Sequence, residues 1–214
     1  MEKIKYYANK GLDLVPGFIF GIIAIIIGLV GDFLAIILYP GYSITKDMVS
    51  TLGVGPGAIY FNLGTFYSGL LAIPFYIDLG RLLHNESENN NDKLIKIAIA
   101  CAIISCVSLA LVGVFPAIQN IAFVIVMHYF TALISWLTGV IYCILFSVLM
   151  LRTPTFPKLL AYIGFIPGGL ILIYLVLISI PPASIITPIV EWSIVFAIIS
   201  YIGVNSLYMI YRKI

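Results

Sequence analysis

Long apolar runs alternate with short polar breaks along the chain. Six runs reach the length of about 20 apolar residues that a helix needs to cross a bilayer. They lie near 15–39, 58–77, 94–114, 121–150, 159–180 and 189–210. The fold class this predicts is all-α: a polytopic membrane protein of six transmembrane helices, read as a single domain over residues 1–214. The fourth run is long enough to tilt or protrude. Turn chemistry marks the breaks. Pro116 and Gln119-Asn120 make the third turn, and Pro181-Pro182 opens the fifth. Thr187-Pro188 begins the last helix, with proline where no amide donor is needed.

The longest polar break, between Tyr39 and Gly57, is unlike the others. It holds hydroxyls, Asp47 and the ending Leu52-Gly53-Val54-Gly55-Pro56-Gly57, and segment 40–57 is expected to be an ordered loop. The stretch from Arg81 to Lys93 is charged and rich in asparagine, and reads as a solvated hinge.

Small residues stripe the first run at Gly17, Gly21, Ala24, Gly28, Gly31 and Ala35. Steps of four and three keep them on one helix face, where two backbones can approach closely. The second run has Asn62, Gly64, Thr65, Ser68 and Gly69, with Pro74 expected to kink it. In the fourth, His128, Thr131, Ser135 and Gly139 share one face, which is expected to point inward.

Composition supports the membrane reading. The chain is 62% hydrophobic and 9% charged, with mean hydropathy +1.15. A soluble domain carries about 25% charged residues, so these charges are too few to coat a water-facing globule. The net charge of +2 gives no footing for nucleic acid. Three cysteines, all within apolar runs, form no disulfide framework or CxxC metal pattern. The first run is too long for a signal-peptide core and is read as a permanent span.

Charge also predicts orientation. Lys3, Lys5, Lys10, Arg81, Lys93, Lys96, Arg152, Lys158, Arg212 and Lys213 fall on one side of the predicted spans, and Lys46 alone falls on the other. By the positive-inside rule both termini are cytoplasmic and segment 40–57 is outside, in a multi-pass protein of the cell membrane.

An aspartate within a span costs about 2.5–3.5 kcal/mol on insertion scales, which makes Asp32 the sharpest single signal. It lies seven residues before Tyr39, roughly 10 Å below the outer surface. His128 is expected at a matching depth, Asn62 and Glu191 nearer the surface, and Ser43 and Asp47 in the loop above. The inner half reads as apolar. Three chemistries suit such a cluster. One is an outward-facing pocket that binds or helps remodel a membrane lipid or other amphiphile, lined by Asp32, Asn62, His128, Glu191, Ser43 and Asp47. Tyr39, Tyr42, Tyr60 and Trp192 would stand at the interface level. Another is metal-assisted hydrolysis around Asp32, His128 and Glu191, with Asp47 as a further candidate, although no ligand-spacing motif is present. The last is an ion path, disfavoured by the apolar inner half. A non-catalytic accessory subunit of a larger membrane complex is the alternative of a different class, motivated by the small-residue stripe, the short loops and the few charges. The partners expected are membrane lipids, with partner membrane subunits or a homo-oligomer as further possibilities and no nucleic acid. No cofactor or metal is assigned, and whether the protein is an enzyme stays open.

The stretches Tyr39-Pro40-Gly41-Tyr42-Ser43, Ser50-Thr51-Leu52-Gly53-Val54-Gly55-Pro56 and Phe61-Asn62-Leu63-Gly64, with His128 and Glu191-Trp192, resemble an uncharacterised family of prokaryotic six-span membrane proteins. That family is distantly similar to the Frag/DRAM/Sfk group. The resemblance implies six spans and a link to lipid handling and membrane organisation. Where the family often has an aspartate before Leu-Gly, this chain has Thr51.

Overall fold

The computed structural model describes residues 15–86, 92–180 and 185–212. Six α-helices follow one another: α1 (Gly17–Ile37), α2 (Ala58–Glu86), α3 (Asp92–Val114), α4 (Ala122–Arg152), α5 (Lys158–Ile178) and α6 (Thr187–Tyr211). A short 3-10 helix, Val49–Val54, sits between α1 and α2. All six α-helices are long and apolar enough to cross a membrane. Each packs against its neighbours in the chain, and α6 returns to α1, so the six close into a ring.

The ring has two distinct ends. Segment 40–57 covers one, here the loop end. Arg81, Lys93, Lys96, Arg152, Lys158 and Arg212 stand at helix termini of the other, the basic end. Lys3, Lys5, Lys10, Lys213 and the Pro181-Pro182 turn lie outside the described residues.

The small-residue stripe of α1 is used within the chain. A carbon added to Gly31 would come within 2.7 Å of the Tyr60 carbonyl, and one on Gly21 within 2.8 Å of the Phe75 ring. The same carbon on Gly21 would lie 2.9 Å from Ser206 Oγ on α6. With no hydrophobic drive between helices in lipid, such close approach supplies the packing that joins α1 to α2 and α6.

Helix α2 departs from the apolar pattern. It passes through Pro74 and continues to Glu86, two turns beyond the end of its apolar run. The expected hinge is therefore helical as far as residue 86, and α3 begins at Asp92. Polar contacts to other elements hold the extension. Asp78 Oδ2 accepts a hydrogen bond of 2.8 Å from the Gly17 amide and so caps α1 from a neighbouring helix. Glu86 pairs with Arg212 at 2.6 Å and accepts from Thr155 Oγ1 at 2.6 Å. One carboxylate thereby ties α2 to α6 and to the α4–α5 turn.

The inner half is also less apolar than expected. Asp78, Ser147, Asn205 and Ser206 are buried there beside the aromatic core. Tyr76, Tyr142 and Tyr201 come from α2, α4 and α6 and join Phe75 and Phe146 in the main core cluster. The Tyr76 hydroxyl donates to that of Tyr142 at 3.1 Å. Large rings thus fill the basic-end half. The loop-end half has only two smaller clusters, one around Leu52, Phe61 and Trp192 and one around Ile171, Tyr174 and Ile194.

Candidate functional site

The loop begins with a tight turn. Tyr42 N donates to Tyr39 O at 3.1 Å, and Gly41 between them has φ 81°. Proline then glycine at the two central positions is the signature of a type II turn, whose third residue needs positive φ. The next turn closes on itself. Asp47 Oδ2 accepts from the Ser43 amide at 2.8 Å, and the Asp47 amide donates to Ser43 O at 2.8 Å. Ser43 Oγ pairs with Thr45 Oγ1 at 3.0 Å. Thr51 donates from its hydroxyl to Met48 O at 2.7 Å, which an ionised aspartate there could not do.

Three side chains then fasten the loop to the helices. Glu191 Oε2 accepts from the Val49 amide at 2.7 Å, capping the first residue of the 3-10 helix. Its other oxygen accepts from the Tyr174 hydroxyl at 3.4 Å. Asn62 Nδ2 donates to Gly53 O at 3.0 Å, while its Oδ1 is buried without a partner. Trp192 Nε1 donates to the Tyr42 hydroxyl at 3.0 Å, and that hydroxyl donates to Met48 O at 3.1 Å. Burial pushes the Tyr42 hydroxyl well above the ordinary phenol value; the Trp192 bond opposes this, and the carboxylates of Glu191, Asp47 and Asp32 add to it.

Asp32 lies within electrostatic reach of that hydroxyl, and no described residue pairs with it. Gly21, Gly28 and Asp32 follow one face of α1 at steps of seven and four. Gly21 meets both Phe75 of α2 and Ser206 of α6, and Gly203 of α6 lies against Ile25. Asp32 thus continues the α1 face that meets α2 and α6, in the electrostatic neighbourhood of Tyr42.

His128 belongs to a different neighbourhood. It is buried, and its Nδ1 donates to Phe115 O at 2.8 Å, closing the end of α3. Thr131, Ser135 and Gly139 are buried on the same face of α4. Ser105 and Ser135 bond across α3 and α4, each hydroxyl reaching the other's carbonyl at 2.9 and 3.2 Å.

The structure therefore gathers Asp32, Glu191, Asp47 and Ser43 near Tyr42, puts Asn62 under the far end of the loop, and gives His128 to the α3–α4 turn. Tyr174, Asp78 and Glu86 escaped the sequence reading. Asp78 left a trace, since a carboxylate one turn after Pro74 follows an apolar stretch directly. Among the described residues, no three His, Cys, Asp or Glu side chains come together as a metal-ligand set. The hydrolytic reading thus has no described residues to hold its metal.

A cavity of about 730 Å³ opens at the basic end, walled by Asp78, Arg81, His84, Glu86, Lys96 and Arg212 among others. Its charges are mostly paired: besides Glu86 with Arg212, His84 meets Asp92 of α3 at 2.9 Å, and Arg81 meets Asp78 within α2 at 3.7 Å. None of the six loop-end candidates lines it.

The family described as "Protein of unknown function (DUF998)" matches residues 22–208. No curated protein and no solved structure matches the chain.

Proposed function

This chain belongs to the DUF998 family, whose description assigns no activity, and from that starting point we propose that it binds a membrane amphiphile at the loop end, with the Asp32 carboxyl recognising the headgroup. The observation that carries this reading is a contrast. Glu191, Asn62, Asp47, Ser43 and His128 each hold part of the chain, whereas Asp32 holds none of the described residues. A mid-span carboxyl is costly, and a ligand that donates hydrogen bonds or carries an ammonium offsets that cost. The rings of Tyr39, Tyr42 and Trp192 pack close by, Tyr39 tilted on Tyr42 and Tyr42 edge-on to Trp192, with centroids 5.6 and 6.4 Å apart. Aromatic faces beside a carboxylate suit a cationic headgroup.

On this reading the site faces outward, by the ten-to-one distribution of basic residues. Loop 40–57 is its cover, Glu191 and Asn62 fasten the cover, and Ser43 and Asp47 shape its first turn. His128 supports the neighbouring turn. The motif resemblance to a prokaryotic six-span family, distantly similar to the Frag/DRAM/Sfk group linked to lipid handling, agrees with it. The accessory-subunit alternative keeps its short loops and few charges as motives, while the α1 stripe packs against α2 and α6 of the same chain.

Native mass spectrometry of protein purified in mild detergent tests the proposal. A bound lipid is expected on the natural chain, with occupancy at least about tenfold lower in Asp32→Asn at an unchanged unfolding temperature. Equal occupancy in the two proteins would defeat it.

A further inference from the structure

A second set of polar groups lies in the basic-end half, away from the loop. Ser147 Oγ, Tyr201 OH, Asn205 Oδ1 and Ser206 Oγ are buried with no hydrogen-bond partner among the described residues. All four residues are 0% exposed. They come from α4 and α6, two helices on either side of α5. Gly164 of α5 marks where two of them meet, because a carbon added there would collide with Ser147 Oγ and with the Tyr201 ring. Asn205 stands one turn from Tyr201 and donates its amide hydrogen to the Tyr201 carbonyl at 2.8 Å. This leaves Oδ1, an acceptor with nothing to accept. Ser206 faces α1 at Gly21.

The donor and acceptor balance defines the missing partner. One free carbonyl oxygen needs a donor, and three hydroxyls each need a partner that can give or take. An anion would leave Asn205 Oδ1 unmet, and no described cation belongs to the set. Small neutral molecules that both donate and accept can satisfy these groups. Buried polar groups in folded proteins are met in this way by internal water, at about one molecule per 27 residues. Lipid around the ring cannot supply such bonds.

We propose that these groups bond internal water in the basic-end half of the ring, Ser147, Tyr201 and Asn205 on the α5 side of α6 and Ser206 on its α1 side. It is separate from the loop-end site and does not depend on it. The site puts ordered water beside the Tyr76–Tyr142 pair, in a core otherwise built from large rings.

Two measurements on the full chain in lipid nanodiscs test this. In the first, Tyr201→Phe and Ser206→Ala remove one hydroxyl each. If water bonds these hydroxyls, each change lowers the unfolding midpoint, by about 2–4 °C. If the hydroxyls are dry, losing an unmet polar group raises the midpoint, and the proposal falls. In the second, X-ray radiolysis generates hydroxyl radicals from bound water, and peptide mapping reads where they react. Tyr201 is expected to be modified despite its complete burial. Labelling no stronger than that of the buried Phe61, which belongs to the separate loop-end cluster, would overturn the site even if both variants failed to fold.

Discussion

The carboxylate of Glu191 holds the amide of Val49 at 2.7 Å across 142 positions of sequence. A helix that opens the last span thereby fixes the start of the 3-10 helix in the first loop. The remaining oxygen meets Tyr174, so the same side chain joins loop, α5 and α6. Glu191→Ala is expected to cost about 1–3 kcal/mol, since it leaves a donor unpaired in a buried setting. Glu191→Gln keeps an acceptor oxygen and is expected to cost less. Hydrogen exchange at Val49 reads this directly: fast in the alanine variant, slow in the natural chain and close to natural in the glutamine variant. Unchanged protection in Glu191→Ala would remove the clasp.

The α1–α2 contact is equally specific. Gly31 leaves no room for a side chain against the Tyr60 carbonyl and the backbone of Gly64. Gly31→Leu is expected to destabilise the bundle by at least the 1–3 kcal/mol typical of overpacking. Gly169, with nothing within 4 Å of an added carbon, serves as the control, and Gly169→Ala is expected to be nearly neutral. Thermal unfolding in detergent compares them, and equal effects would show that the stripe is not the contact.

Asp78 makes a cap that crosses between helices. Asp78→Ala is expected to lose about 1–2 kcal/mol, the range for removal of an N-cap acceptor. Asp78→Asn retains an acceptor for Gly17 and is expected to keep most of it. A spin-label or fluorescent probe at position 16 would report fraying of α1 in the alanine variant only.

Tyr42 gives the loop a defined response to alkali. Burial first, then nearby carboxylates, hold its hydroxyl protonated above the ordinary phenol range. The folded chain therefore binds a proton that the unfolded chain has released. Its contribution is complete below about pH 10 and is lost as pH rises beyond that. Tyr42→Phe is expected to flatten this part of the stability curve and to weaken the loop through loss of the Trp192 and Met48 bonds. A Tyr42→Phe curve parallel to that of the natural chain above pH 10 would contradict the assignment.

How much of this was legible beforehand depended on range. The six spans could be read because a bilayer demands length and apolarity from each segment alone. The last two turns of α2 could not, because Asp78 and Glu86 are held by Gly17, Thr155 and Arg212 rather than by local pattern. The candidate site shows the same division. The depth of Asp32, Asn62, His128 and Glu191 follows from counting residues, but their partners do not. A carboxyl at a helix start looks the same in sequence whether it faces a ligand or caps a distant 3-10 helix. The Pro40-Gly41 pair carries residue types suited to a tight turn with positive φ, although no turn was read there.

The account rests on an amphiphile meeting Asp32 beneath the loop. The most direct measurement is photo-crosslinking with an amphiphile that carries an ammonium headgroup and a diazirine beside it, followed by peptide mapping of the adducts. Adducts on residues 32–42 and 191–196 are expected in the natural chain, with their loss in Asp32→Asn. Adducts confined to lipid-facing positions such as Phe123, Leu159 and Leu207, and unchanged by Asp32→Asn, would contradict it.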